Sequence, residues 1–448
     1  MTTASKAHTT WAESFLAAAD TLPGKGTRAL TAFREKGLHL FFELGLPTKR
    51  MEDWRYSDLR NLATSRWHVP ARRTPPAGEV ETALGRLPGG AGFFRLVFLD
   101  GRLVRPLCQL AGLPAGVTIE SIATVAETRG EWLAEHLGTV VPSEENGCTA
   151  LNSALFMDGY VLHLADGIEL NRPLEVIFLT TTEAQAAAMH FRNLVIAEPS
   201  SKASVVEVFV GPATSAYWVH SVTEMIVKEK ADLTHVRLQE DGHQSFHLNR
   251  TGVHQHGHSK VASHVISTGA RQSRQDLSFV LAEEESECSL QGLFVMNGQQ
   301  KADHQTLVDH RVPHTRSDEL YKGALDGASE GSFTGRVLVR KNAQHVEAGQ
   351  QNRNLLLSDL ARVNTRPQLE IYADDVKCSH GATSGRLDET ALFYLRSRGI
   401  PLTRARQLLT RAFVTEVIHS IPVPALKDHL LPLVDDRLCP GHLLEETP

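Results

Sequence analysis

In the stretch DDVKCSHGAT, Asp374 to Thr383, a thiol and an imidazole stand two residues apart at Cys378 and His380. In an extended strand, positions i and i+2 project from one face, so these side chains converge while Lys377 and Ser379 point away. Thiolate and imidazole suit zinc, iron or a sulfide cluster, but two ligands leave a tetrahedral site half built. The missing ligands must come from elsewhere in the chain or from another subunit. The alternative is a packed thiol beside a hydrogen-bonded histidine.

Three other groupings invite chemistry. His254, His256 and His258 in GVHQHGHSK share a face if the segment is extended, which opens a competing reading as a stand-alone, His-ligated metal enzyme on a β scaffold. The residues after them, Ser259 to Ala262, supply no further ligand. Asp374 and Asp375 suggest a glycosidase, which needs two carboxyl groups across one bond; neighbouring strand residues face opposite ways, so an acidic turn is the simpler reading. Arg396, Arg398, Arg404, Arg406 and Arg411 lie in a helix–turn–helix pattern with no acid among them over Arg404 to Arg411. That pattern fits a nucleic-acid reader or a protein-docking surface. No GxxxxGKS/T and no helix-opening GxGxxG occurs, so nucleotide hydrolysis by this chain alone is not expected.

The elements that must position these residues follow from periodicity. From about Thr10 to Leu62 apolar residues recur at three and four, an α-helical start interrupted at Pro47, with Ser57 and Asp58 as expected caps of a short helix. Residues 70–90, rich in Pro, Gly and Arg, read as a linker, and a mixed segment runs on to about Ser143. From Leu151 to His380 short β-branched or alternating runs (YVLHLA, LEVIFLTT, SVVEVFV, LTHVRLQE, GRVLVRKN, QLEIYAD) are separated by compact polar turns. The turns recur from Ser200 to Ala231 to Ser259 to Glu285, a loose repeat of about 25 to 30 residues that favours stacked coils, a parallel β-helix, over a large sandwich. After Gly385 the helical period returns. Asp388 opens one helix and Gly399 stops it; a second begins at Pro401 with Leu408, Ala412 and Val417 or Ile418 along one face; PALKDHLLPLVDDRL is a third.

Composition excludes several classes. The 448 residues are 42% hydrophobic, enough for a large core. The net charge of −6 is spread along the chain and gives no reason to expect nucleic acid or an anionic membrane as partner. The opening residues lack a signal-peptide core, and no run approaches the roughly 20 apolar residues of a membrane span, so a cytoplasmic protein is expected. Five scattered cysteines, Cys108, Cys148, Cys288, Cys378 and Cys439, have no CxxC spacing and argue against a disulfide framework or a self-contained zinc site. The 22 histidines are many for this length.

Two longer stretches resemble a known family, the SufB/SufD proteins of iron–sulfur cluster assembly, and more closely its SufD branch. PTKRMEDWRYSDL, Pro47 to Leu59, is similar to a signature of that branch, and the 52 residues from Gly349 to Ile400 resemble the family's C-terminal signature almost throughout. The resemblance extends from about Leu40 to Ile421. It implies a mainly β protein: an N-terminal helical region and linker (1–90), a right-handed parallel β-helix core (91–383, with 91–150 a mixed lead-in) and a C-terminal helical domain (384–448). It implies a non-catalytic scaffold that forms a heterodimer with a SufB-like paralogue, or a homodimer when isolated. A SufC-like ABC-type ATPase would dock on the C-terminal helices and hydrolyse ATP, with Arg404, Arg406, Leu408 and Phe413 as the expected docking residues. A transient iron–sulfur cluster, shared with the SufB partner and not held tightly by the isolated chain, would form at the interface, where the motif places His380 as a ligand and Cys378 beside it. SufB carries a cysteine on the preceding strand and a Glu after the motif histidine. Here Ala361 and Gly381 stand at those places, which resembles the SufD-type partner.

Overall fold

A computed structural model describes residues 22–71 and 74–438; the expected helix before Leu22 and the thiol of Cys439 lie outside them. The chain begins with α1 (Arg28–Leu44), α2 (Arg60–Thr64) and α3 (Glu79–Gly85). A lead-in follows, with β1 (Phe94–Leu99), β2 (Arg102–Leu103), β3 (Val117–Ser121), α4 (Ile122–Thr128), α5 (Gly130–His136) and α6 (Gly147–Leu155). The next strands are β4 (Tyr160–Leu164), β5 (Leu174–Leu179), β6 (Ala188–Ala197), β7 (Lys202–Val210), β8 (Trp218–Val227), β9 (Asp232–Glu240), β10 (Phe246–Gln255) and β11 (Lys260–Ser267). Then come β12 (Gln272–Leu281), β13 (Glu287–Met296), β14 (Lys301–His310), β15 (Arg316–Leu325), β16 (Glu330–Val339), β17 (Glu347–Leu356), β18 (Arg362–Ile371) and β19 (Lys377–Gly385). Three helices end the described chain, α7 (Glu389–Ser397), α8 (Leu402–Ser420) and α9 (Pro424–Leu438).

Even-numbered strands from β4 to β18 form one parallel sheet and odd-numbered strands from β5 to β19 the other, so the chain crosses between sheets at every turn. This is a parallel β-solenoid flanked by helices. Paired residues of successive coils are from 26 positions (Phe246 with Gln272) to 33 (Val161 with Leu194) apart. The corners show how the sequence sets this period. Ser200, Lys230, His258, Glu285, His314 and His345 all have φ between +56° and +59°, and the amides of Ser200, Lys230, His258, His314 and His345 link to the next coil, as in Ser200 N–H to Glu229 O (2.9 Å) and His258 N–H to Glu284 O (3.0 Å). The polar turns of the sequence are these left-handed corners.

Inside, Phe98, Phe178 and Phe209 stack in register, with centroids 5.2 and 4.4 Å apart. Outside, α1 and the α4–α5 pair cover the even-numbered sheet through Leu30, Ile122 and Val125, and α8 and α9 cover the odd-numbered sheet through Val414, Val417, Ile418 and Leu430. Several local expectations change. The stretch read as a linker contains α3, because Val80 and Leu84 pack on Val97 and Ile177. Ser57 is no cap: it is buried and its hydroxyl donates to Asp303 (2.5 Å), while Asp58 receives the amide of Arg60 (3.1 Å). On α8 the covered face runs through Ala405, Val414, Val417 and Ile418, leaving Leu408 and Ala412 exposed, because the solenoid lies on that other side.

The segment 51–57 straps the N-terminal region to the even-numbered sheet. Arg274, fully buried, donates to Asp276 (2.8 Å) and Asp303 (2.7 Å), and its guanidinium lies 3.7 Å from the Trp54 ring centroid. Removing one member of such a buried network leaves the other charges uncompensated. Arg274→Ala is therefore expected to cost about 3–5 kcal/mol, read as a lower urea midpoint at unchanged m-value; a loss under about 1 kcal/mol, the range of exposed pairs, would refute the role of the network.

Candidate functional site: the open end of the solenoid

β19 is the outermost strand of its sheet and β18 of the other, so the last coil has a neighbour on one side only. It runs through Gly381 to Gly385, so the turn toward the helices falls at Arg386–Asp388, later than Gly381. The Asp388 carboxylate then caps α7 by accepting the Thr390 amide (2.8 Å), and Gly399, at φ +84°, ends that helix.

Register identifies the face on which Cys378 and His380 lie. Cys378 pairs with Ala348 and His380 with Gln350, and both β17 residues are buried inside the coil. Cys378 packs against the cluster of Val337, Val346, Ala348 and Ala373. The pair therefore sits on the solenoid's inner face, and only the missing next coil leaves it accessible. Burial pushes the Cys378 thiol above its usual range, partly offset by the Ala348 backbone, so in this chain alone it is a weak thiolate donor. His380 is exposed. Around them the end is apolar, with Leu360 66% and Tyr372 62% exposed beside Ile371. An uncovered strand edge with apolar side chains is a surface for pairing with another chain.

The other candidates are placed elsewhere. β10 ends at Gln255 and the backbone turns left-handed at His258, so the histidine triplet does not share one extended face. His254 and His256 remain neighbours, centroids 5.2 Å apart, and His256 is engaged by Glu283 (2.8 Å). Among the described residues, no group of three or more His, Cys, Asp or Glu side chains is arranged to hold a metal. Asp374 and Asp375 lie in the bend between β18 and β19. On α8, Arg406 donates to Leu357 O (2.9 Å), and Phe413 lies under Lys322, whose Nζ is 4.6 Å from the ring centroid and donates to the Phe413 carbonyl (2.8 Å). Those two face the solenoid. Arg404 and Leu408 are exposed, as are Phe393 (74%), Tyr394 and Leu402. Arg411 has an acid after all, Asp435 of α9 at 2.9 Å.

What the sequence reading missed is inside the coils. Gln275, His304, Thr306, Glu319, Gln350 and Asn352 are buried polar residues on inner faces. Deeper in, Tyr160, His235 and Arg237 converge on Glu207. Burial raises the Glu207 carboxyl, but the Arg237 and His235 charges more than offset this and hold it below the usual range. Glu319 has no such cation: burial pushes it up to about 7, opposed by the bond from Gln350.

Two comparisons carry the assignment. Residues 178–413 match the SUF system FeS cluster assembly, SufBD core domain, and residues 5–176 match the SufBD protein N-terminal region. An iron–sulfur cluster assembly SufBD family protein of Synechocystis is 33% identical over 412 residues, covering 90% of each chain.

The chain belongs to the SufBD family.

Within that family it is similar to the iron–sulfur cluster assembly protein SufD of Escherichia coli, at 29% identity over 91% of this chain and 92% of that one. It is also similar to the chloroplastic protein ABCI7 of Arabidopsis thaliana, at 27% over 89% and 84%. It is thus a SUF-system family member, SufD-like by homology, and among the described residues no helix is long and apolar enough to cross a membrane.

The raised Glu319 carboxyl makes a signed prediction. A carboxyl whose folded pKa exceeds its unfolded value loses stabilisation as pH rises from the unfolded value to the folded one, and the penalty persists above that. Relative to wild type, Glu319→Gln is expected to gain stability between about pH 4.5 and 7, by roughly 3 kcal/mol at most. Melting temperatures of both chains across this range check it; a difference independent of pH would refute it.

Proposed function

We propose that this chain is the SufD-type, non-catalytic scaffold subunit of a cytoplasmic SUF complex, which pairs with a SufB-like paralogue through the open last coil. The nascent iron–sulfur cluster, as cargo, then forms between the two chains, with His380 as this chain's ligand and Cys378 beside it. One observation carries the reading: an imidazole and a thiol lie on an inner face that no further coil among the described residues covers, short of the ligands a cluster needs. A partner strand supplied at β18 and β19 would cover the apolar end and bring the missing ligands. In the division into 1–90, 91–383 and 384–448, the last part docks a SufC-like ATPase, which hydrolyses the ATP. The exposed face of α7 and α8, with Phe393, Leu402, Arg404 and Leu408, fits that role; Arg406 and Phe413 act through the seating of α8 on the solenoid.

Co-expression with SufB and SufC homologues, followed by cluster reconstitution, tests both surfaces. His380→Ala is expected to assemble the complex but lower cluster yield roughly tenfold or more, on the scale of losing one group from a metal site; normal yield would overturn the assigned role. Leu408→Asp with Arg404→Glu is expected to abolish ATPase capture while the melting temperature holds, since neither side chain is covered. Unchanged capture would move the docking surface elsewhere.

A further inference from the structure

Behind His380 lies an in-register column. Glu319 on β15, Gln350 on β17 and His380 on β19 are successive partners across parallel strands. Glu319 and Gln350 are each 1% exposed. The Gln350 amide nitrogen donates to the Glu319 carboxylate. Above about pH 7, where the raised Glu319 carboxyl is ionised, it only accepts, so it fixes which way the amide points: nitrogen toward Glu319, leaving Oε1 as the free acceptor. That Oε1 is buried and has no hydrogen-bond partner among the described residues. A buried acceptor left unmet is costly, so it calls for a donor.

One strand away is the His380 ring, which makes no hydrogen bond to that oxygen in this structure and is the donor proposed for it. In-register strands lie about 4.8 Å apart, within reach of a glutamine side chain, and the packing of Cys378 shows that this side of β19 is the inner one. A metal-binding imidazole uses one ring nitrogen, and its other N–H is held by an oxygen that sets tautomer and orientation. We propose that Gln350, oriented by Glu319, is a positioning residue that accepts the ring N–H of His380 and thereby presets which nitrogen faces the incoming cluster. The purpose of this arrangement rests on the role given to His380 above; the arrangement itself lies within this one chain.

Nitrogen-15 NMR of the full-length chain, labelled in histidine, tests it at about pH 9, where imidazoles are neutral. The His380 signals are assigned by their loss in His380→Gln. Replacing Gln350 by the isosteric, non-accepting Met is expected to shift the His380 tautomer ratio about fivefold, the scale of one hydrogen bond. Glu319→Gln, which unpins the amide, should shift it in the same direction by less. The swapped pair, Glu319→Gln with Gln350→Glu, again presents an acceptor anchored from below and should restore the wild-type ratio, which a loss of packing would not do. An unchanged ratio in Gln350→Met overturns the proposal, as does failure of the swapped pair to restore it. If Gln350→Met does not fold, an unchanged ratio in Glu319→Gln overturns it alone. Cluster yield from His380→Ala separates the two readings: a tautomer shift beside normal yield leaves the positioning contact standing and removes the assembly role, and an unchanged ratio beside impaired yield does the reverse.

Discussion

A coil in a β-solenoid is held by the coils on either side of it, and the coil formed by β18 and β19 has only one. Its backbone groups and inner side chains meet the same requirements as any other coil's, but the described residues supply no further coil to satisfy them. Cys378 and His380 are placed as core residues and exposed as surface residues at once. That follows from where the stack ends rather than from any unusual local geometry. The same constraint accounts for Leu360, Ile371 and Tyr372, apolar side chains left uncovered at one end of a molecule whose flanks are sheathed by helices.

The sheathing divides the labour between the two sheets. On the odd-numbered sheet, α8 and α9 bury an aliphatic seam, and buried Lys322 pairs with Glu416 and caps the Phe413 carbonyl, joining the helix to the strand that carries Glu319 on its other face. On the even-numbered sheet the 51–57 strap engages Arg274 and Asp303, while Glu52 pairs with Arg366 of β18. The last coil is therefore braced on the even-numbered flank through Arg366, the odd-numbered sheet is held two strands before it, and its end stays free. A partner can add to that end without displacing either brace.

Legibility varied with what filled the coils. Strands such as β5 and β7, built of β-branched and aromatic residues, are plain in the sequence. β10, β14 and β15 are not legible in this way, because inward positions hold residues such as His247, Asn249, His304, His310 and Glu319, which break apolar alternation. In isolation a polar residue at an inner position reads as a loop signal. Inside the stack it is tolerable because a neighbouring coil brings a partner, as Gln350 does for Glu319 and Arg237 for Glu207. Leu408 failed in the opposite sense. Its helical spacing is local and holds, but which stripe of α8 is covered depends on where the solenoid lies.

By itself the sequence determined the repeat, because each polar corner requires a left-handed residue about every 29 positions, and it determined that Cys378 and His380 share a face, because strand alternation is local. It also carried the family, through the long C-terminal match that the comparisons place within the SufBD core domain. Only the tertiary structure decided that this shared face is the inner one, that no further coil among the described residues covers it, and that Gln350 and Glu319 stand behind it. Those facts depend on pairings between residues about 30 positions apart, and no local pattern of spacing or propensity specifies which side chain a neighbouring coil will present.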